Sequence, residues 1–151
     1  ATKSLVLCSF WGLKMRIFYK TGDRIGFLSP APSWENRLEE LAEKDAPQGS
    51  VIKILEDSEM PDMVFIDAWE SDDKLTEVTI NLSKAKEITK DRLRIDRKPL
   101  LEEQDILFMQ AQESGADTTD IVAEKQRLRD ITKNADSCKT TDELKTLSCE
   151  G

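Results

Sequence analysis

Acid–base work in this chain would fall to carboxylates, because thirty residues are Asp or Glu and none is histidine. Two sets are spaced closely enough to consider: Glu102, Glu103 and Asp105, and Asp67 with Glu70 flanking Trp69. A working pair needs one carboxyl desolvated and protonated while the other stays ionised. No sequence feature around either set signals that separation, and residues of this type are rarely buried, so both read as solvated faces. The run EDSEMPD has acids at alternating positions but lacks the central glycine and distal glutamate of an EF-hand loop. Neither a phosphate-binding glycine loop nor a nucleophile elbow occurs. Without histidine, the commonest general base near neutral pH and the commonest nitrogen ligand for zinc are missing. The expectation is a protein that is not an enzyme, with no catalytic residue, no cofactor and no metal site.

The cysteines, Cys8, Cys138 and Cys149, have no CxxC spacing and no neighbouring ligand set. An odd number fits poorly with a secreted disulfide framework, and reduced thiols are the plain reading. The alternative is a Cys138 to Cys149 loop closure, or a bond between subunits, in an oxidising setting. Net charge is −8, which argues against general affinity for nucleic acid or an anionic membrane, since both would repel the chain. The apolar run from Leu5 to Leu13 is too short to span a bilayer and lacks the cleavage pattern of a signal peptide.

The patterning predicts an α+β fold in which a small N-terminal mixed or antiparallel sheet with one short helix precedes a C-terminal αα-hairpin. Residues 1–14 read as an extension and 15–81 as the sheet domain. From Met15, MRIFYK alternates and is followed by TGDR and IGFLS, a hairpin whose turn uses Gly22. Ser33 is expected to cap a helix through Lys44, with Trp34, Leu38 and Leu41 on one face. Pro47 and Gly49 end it, and Val51 to Leu55 reads as a buried strand. Residues 56–73 carry eight acids and no base around the apolar knot Val64, Phe65, Ile66, Ala68 and Trp69, which predicts an irregular segment anchored by its aromatics. Leu75 to Ile80 alternates again and is predicted as a strand.

Residues 82–133 then turn helical. A cap at Asn81 or Ser83 opens a helix from about Lys84 to Ser114, with Leu93, Leu100 and Leu107 seven apart. Pro99 predicts a kink or break near Asp96 to Lys98. In ESGADTT, Gly115 suits a left-handed cap, and Asp117 or Thr118 can accept the first amides of a helix over about Thr119 to Lys133. Ile121, Leu128 and Ile131 fall on one side of it. In the tail, 134–151, Thr140 to Glu143 is a capping box that opens one or two turns through Leu147. Two antiparallel helices can hide their stripes against each other, yet so thin a pair leaves apolar surface over. Leu93, Leu100, Leu107, Ile121 and Leu128 are therefore the candidate contact residues, to be covered by the protein's own sheet or by another chain.

Between Lys84 and Lys98 stand seven bases and three acids. Cations near the start of a helix oppose its dipole, at roughly a few tenths of a kcal/mol each. Their match is either the acidic residues 56–73, simple exposure to water, or an acidic partner.

The blocks MRIFYKTGD, SVIKILEDSEMPD with DAWE, LRIDRKPLLEEQDILFMQAQESGADTTDIVAEKQRLRDIT and a late TDELK resemble small proteins encoded by tailed bacteriophages and prophages. The helical block is similar in layout to the C-terminal part of phage tail-fibre assembly proteins, where basic residues precede a Leu-Leu pair and LRD follows. The likeness covers most of residues 15–147. Two departures stand out: residues 1–14 precede Met15, where comparable proteins begin, and PDMVFIDAWE is apolar where relatives carry basic and aromatic residues. The resemblance implies a non-enzymatic phage protein, an accessory virion or tail component or a tail-fibre assembly factor, located in the virion or the bacterial host cytoplasm. Its implied partners are other phage structural proteins or itself as a homo-oligomer, with no nucleic acid and no membrane. The competing reading is an acidic inhibitor in which Glu56, Asp57, Glu59, Asp62, Asp72 and Asp73 occupy a basic surface of a host defence or nucleic-acid-binding protein.

Overall fold

A computed structural model describes residues 14–150; Cys8 and the extension expected over 1–14, Lys14 apart, lie outside them. The chain is α+β and divides between Thr79 and Ile80 into two compact units.

The first unit is built on a β2-β1-β3 antiparallel sheet formed by β1 (Met15–Thr21), β2 (Arg24–Leu28) and β3 (Val51–Glu56). Gly22 turns the β1–β2 hairpin at φ +58°, a left-handed value that glycine adopts at little cost. Side chains alternate along β1, so Ile17 and Phe18 face opposite ways, and both are buried. Ile17 packs with Leu41 and Ala42 of α1 (Leu38–Asp45), which covers one face of the sheet together with Trp34. On the other face Phe18 and Phe27 meet Trp69, at ring-centroid distances of 6.0 and 5.9 Å. Burial on both sides explains why a three-stranded sheet carries consecutive large apolar residues.

Trp69 belongs to an irregular segment, as expected, made of 3-10 turns at Asp57–Glu59 and Met63–Ala68 and the two-residue strand β4 (Trp69–Glu70). Its indole donates to the Asp62 carbonyl at 3.2 Å. Three expectations fail in this unit. β3 is a strand but not a buried one, since Val51 and Ile52 at its start are 41% and 39% exposed and only Leu55 is buried. The helix does not begin at Ser33, because Pro32–Trp34 forms a separate 3-10 turn and α1 starts at Leu38 with no side-chain cap. Nor is Leu75 to Ile80 a strand; only β5 (Thr79–Ile80) pairs, with β4. The cause is local. The Asp72 carboxylate takes the amides of Lys74 and Thr76, at 3.2 and 2.8 Å, that a ladder would need, and Leu75 adopts φ +52°. Complete burial of the Leu75 side chain holds that conformation.

In the second unit α2 (Leu82–Ser114) runs 33 residues from an Asn81 cap, whose side chain accepts from the Lys84 amide. It is one continuous helix through Pro99, so of the kink or break expected near Asp96 to Lys98 the break is absent. Proline withholds an amide from the Ile95 carbonyl, but Leu93, Leu100 and Leu101, on both sides of it, pack into one cluster that spans the gap. Gly115, at φ +69°, closes α2 with the left-handed cap that its sequence suggested. Asp117 accepts the Thr119 amide at 3.0 Å as the chain turns into α3 (Thr119–Asp130). A 3-10 turn (Ile131–Lys133), α4 (Asn134–Ser137) and α5 (Thr141–Thr146) follow. The Thr140–Glu143 capping box is formed. Helices α2 and α3 lie antiparallel: Arg97 reaches the carbonyls of Leu128 and Arg129, while Asp105, further along α2, pairs with the earlier Lys125. Among the described residues no helix is long and apolar enough to cross a membrane.

Candidate functional site

A residue turns roughly 100° around a helix axis relative to the one before, so α2 can be read as faces. Leu93 and Leu100 lie on the packed face and meet Leu128 and Ile131 in the core of the second unit. Leu93 is 0% and Leu128 1% exposed, so these two expected contact residues belong to the interior. What covers them is the tail: Cys149 and Leu147 close the same cluster, a layer that the two-helix picture lacked. Leu100 and Ile121 are half-buried, and Leu107, beyond the reach of the tail, remains 40% exposed.

Several bases of α2 hold the tail and α3 in place, and three of them, Lys86, Arg92 and Arg97, donate to carbonyls near helix ends. Lys86 donates to the Asp136 carbonyl in α4 at 2.8 Å. Arg92 donates to the carbonyls of Leu144 and Leu147, at the end of α5, at 3.0 and 2.8 Å. Arg97 donates to those of Leu128 and Arg129, at the end of α3, at 3.3 and 2.7 Å. Lys90 pairs with the Asp136 carboxylate at 2.7 Å, a contact that raises the ammonium pKa and lowers the carboxyl pKa. Cations at helix C-termini are favourable, which compensates for their poor placement on α2 itself. Lys86, Lys90, Arg92 and Arg97 thus find partners within their own unit. From α3, Arg127 forks onto Glu124 at 2.7 and 2.6 Å and reaches the Cys149 carbonyl at 2.9 Å.

Both described thiols are free and buried, so the Cys138 to Cys149 closure is not formed. They are engaged separately: Cys138 Sγ donates to the Asn134 carbonyl, and Cys149 Sγ to that of Leu93 at 3.5 Å. Burial pushes the Cys149 thiol pKa up, which keeps it protonated and a poor nucleophile.

The carboxylates considered for chemistry are solvent-facing. Glu102, Glu103, Asp67 and Glu70 are exposed, and Asp105 is engaged by Lys125 at 2.5 Å. Asp72, Asp117, Glu124, Asp130 and Asp136 are all shifted to low pKa by hydrogen bonds, the opposite of what a general acid requires. Among the described residues no cluster of three or more Cys, Asp or Glu could hold a metal ion.

What remains is a second apolar row that the sequence reading missed. Ile95, Ile106 and Met109 are 72%, 53% and 57% exposed. Their spacings of eleven and three residues put them within roughly 60° of one another, on the side of α2 opposite the packed face. The signal was present in those spacings but was overshadowed by the heptad of leucines. Beside Ile95 an open groove of about 670 Å³ runs between Pro99 and Leu100 on one wall and Leu147 to Glu150 on the other. Lys98 and Glu102 lie within the row, exposed and without an ion-pair partner among the described residues.

No protein-family model matches this chain, no curated protein matches it, and no solved structure matches it.

Proposed function

We propose that this protein is a non-enzymatic accessory component of a tailed-phage particle, or an assembly factor for its tail fibres, that works through protein–protein contacts. The observation that carries the contact role is the outward row of Ile95, Ile106 and Met109, exposed along roughly 21 Å of one rigid helix. A helix already anchored by its opposite face presents such a row with little further loss of entropy on binding. The phage setting rests on the layout of the helical block. There, the Arg97 contacts join the bases before Leu100-Leu101 to the later Leu128-Arg129-Asp130 and hold this chain's hairpin shut. Contacts would be with other phage structural proteins or with itself, in the virion or the host cytoplasm, and need neither nucleic acid nor membrane.

The acidic-inhibitor reading gains no support from the geometry of residues 56–73. Asp57 pairs with Arg16 at 2.6 Å and Asp73 with Lys20 at 3.1 Å, while Glu59, Asp62 and Asp72 accept backbone amides within their own loops.

The test is mass spectrometry of purified particles and of assembly intermediates from cells carrying wild type or Ile106→Asp. Wild-type protein in mature particles identifies a virion component; wild-type protein confined to intermediates identifies an assembly factor. In either case Ile106→Asp should abolish the association. Absence of the wild type from both fractions, or an undiminished variant, overturns the proposal.

A further inference from the structure

We infer that the outward face of α2 pairs with the same face of a second copy of this chain, antiparallel about a two-fold axis near Leu100 and Leu101. This inference rests on the proposed contact role of that face and names its partner.

The charge pattern of α2 singles out the occupant. Seven bases and three acids lie between Lys84 and Lys98, whereas Leu101 to Ser114 holds four acids and no base. A helix that is positive in one half and negative in the other is complementary to an antiparallel copy and repels a parallel one. The order also opposes the helix dipole at both ends, and an antiparallel neighbour relieves this at both ends together. Intrachain contacts absorb part of the pattern: Lys86, Lys90, Arg92 and Arg97 serve the tail and α3, and Asp105 holds Lys125. Among the charges left over, Lys98 and Glu102 lie along the outward row, one on each side of the proposed axis.

The apolar residues fit the same symmetry. With the axis midway between Leu100 and Leu101, Ile95 of one copy lies opposite Ile106 of the other, twice over. Lys98 comes within about one residue of level with Glu102 of the second copy, on the same flank of the contact, again twice. Isologous pairing of this kind closes at two subunits. The net charge of −8 on each chain opposes association, but at 0.15 M salt charges beyond roughly 8 Å are screened.

The decisive experiment is sedimentation equilibrium at 0.15 M salt on wild type, Lys98→Glu, Glu102→Lys and an equimolar mixture of the two variants. All these sites are exposed, and unchanged thermal unfolding of the variants confirms their folds. The wild type should dimerise, and each variant alone should weaken the dimer roughly tenfold, because two like-charge contacts replace two attractive ones. The mixture should recover near-wild-type association, since a heterodimer restores opposite charges at both contacts. A monomeric wild type, charge-insensitive association or a mixture that fails to recover overturns the two-fold pairing. If particle association is still lost in Ile106→Asp while the wild type is monomeric, only the pairing fails and the contact role stands.

Discussion

Arg92 donates to the carbonyl of Leu147 at 2.8 Å, across 55 positions of sequence, and this contact with its companion to Leu144 pins the tail over the leucines that α2 and α3 leave uncovered. The tail is therefore a structural layer of the second unit.

Removing that clamp should loosen the layer. Arg92→Ala strands carbonyls at the end of α5 and is expected to lower stability by about 1–3 kcal/mol, the usual cost of losing hydrogen bonds to a charged group. Hydrogen exchange should show the loss first in residues 141–149. Unchanged protection there would contradict the clamp.

The two faces of α2 should respond oppositely to substitution. Leu93→Ala empties a fully buried position and should cost about 2–5 kcal/mol in denaturant unfolding. Ile95→Asp, on a residue 72% exposed, should change the stability of the isolated subunit by less than about 0.5 kcal/mol. Comparable losses at both positions would mean that the faces are misidentified.

Pro99→Ala should stabilise the protein by about 1–3 kcal/mol, because it restores an amide donor to the Ile95 carbonyl in a helix that is already continuous. A destabilised variant would show that the proline ring makes packing contacts worth more than that bond.

Thiol labelling should report the tail. Cys149 is buried and held protonated, and Cys138 is buried, so alkylation at pH 8 should be slow for both until denaturant is added. Arg92→Ala should accelerate Cys149 in native buffer, read by peptide mass spectrometry. Equal rates in the two proteins would detach Cys149 from the clamp.

Acid should weaken the second unit. Asp136 is held at low pKa by the hydrogen bond from Lys90, and Glu124 by that from Arg127. A carboxyl with a depressed folded-state pKa contributes its stability above the unfolded value, and that contribution is lost as pH falls through the folded value. Melting temperature should therefore be flat near neutral pH and fall below about pH 4. In Asp136→Asn the fall should be shallower. An identical profile in that variant would remove the Lys90 pair from the account.

The amino-acid sequence by itself determined most features whose cause lies within a few residues, although the Asp72 turn that replaces the expected strand was not legible in it. The Gly22 turn, the Asn81 cap, the left-handed Gly115, the Asp117 contact and the Thr140–Glu143 box all sit where their side chains dictate. Alternation placed β1, the apolar run Val51 to Leu55 placed β3, and the aromatic knot around Trp69 packs as its apolar character implied. Tertiary structure alone decided the rest. Whether the helix tolerates Pro99 depends on a cluster that bridges it, and which stripe of α2 becomes interior depends on Cys149, whose thiol meets the Leu93 carbonyl 56 positions away. Periodicity marks a face as apolar, but only the packing of distant segments settles what covers it, since burial depends on the surface removed and carries no record of the order of the chain.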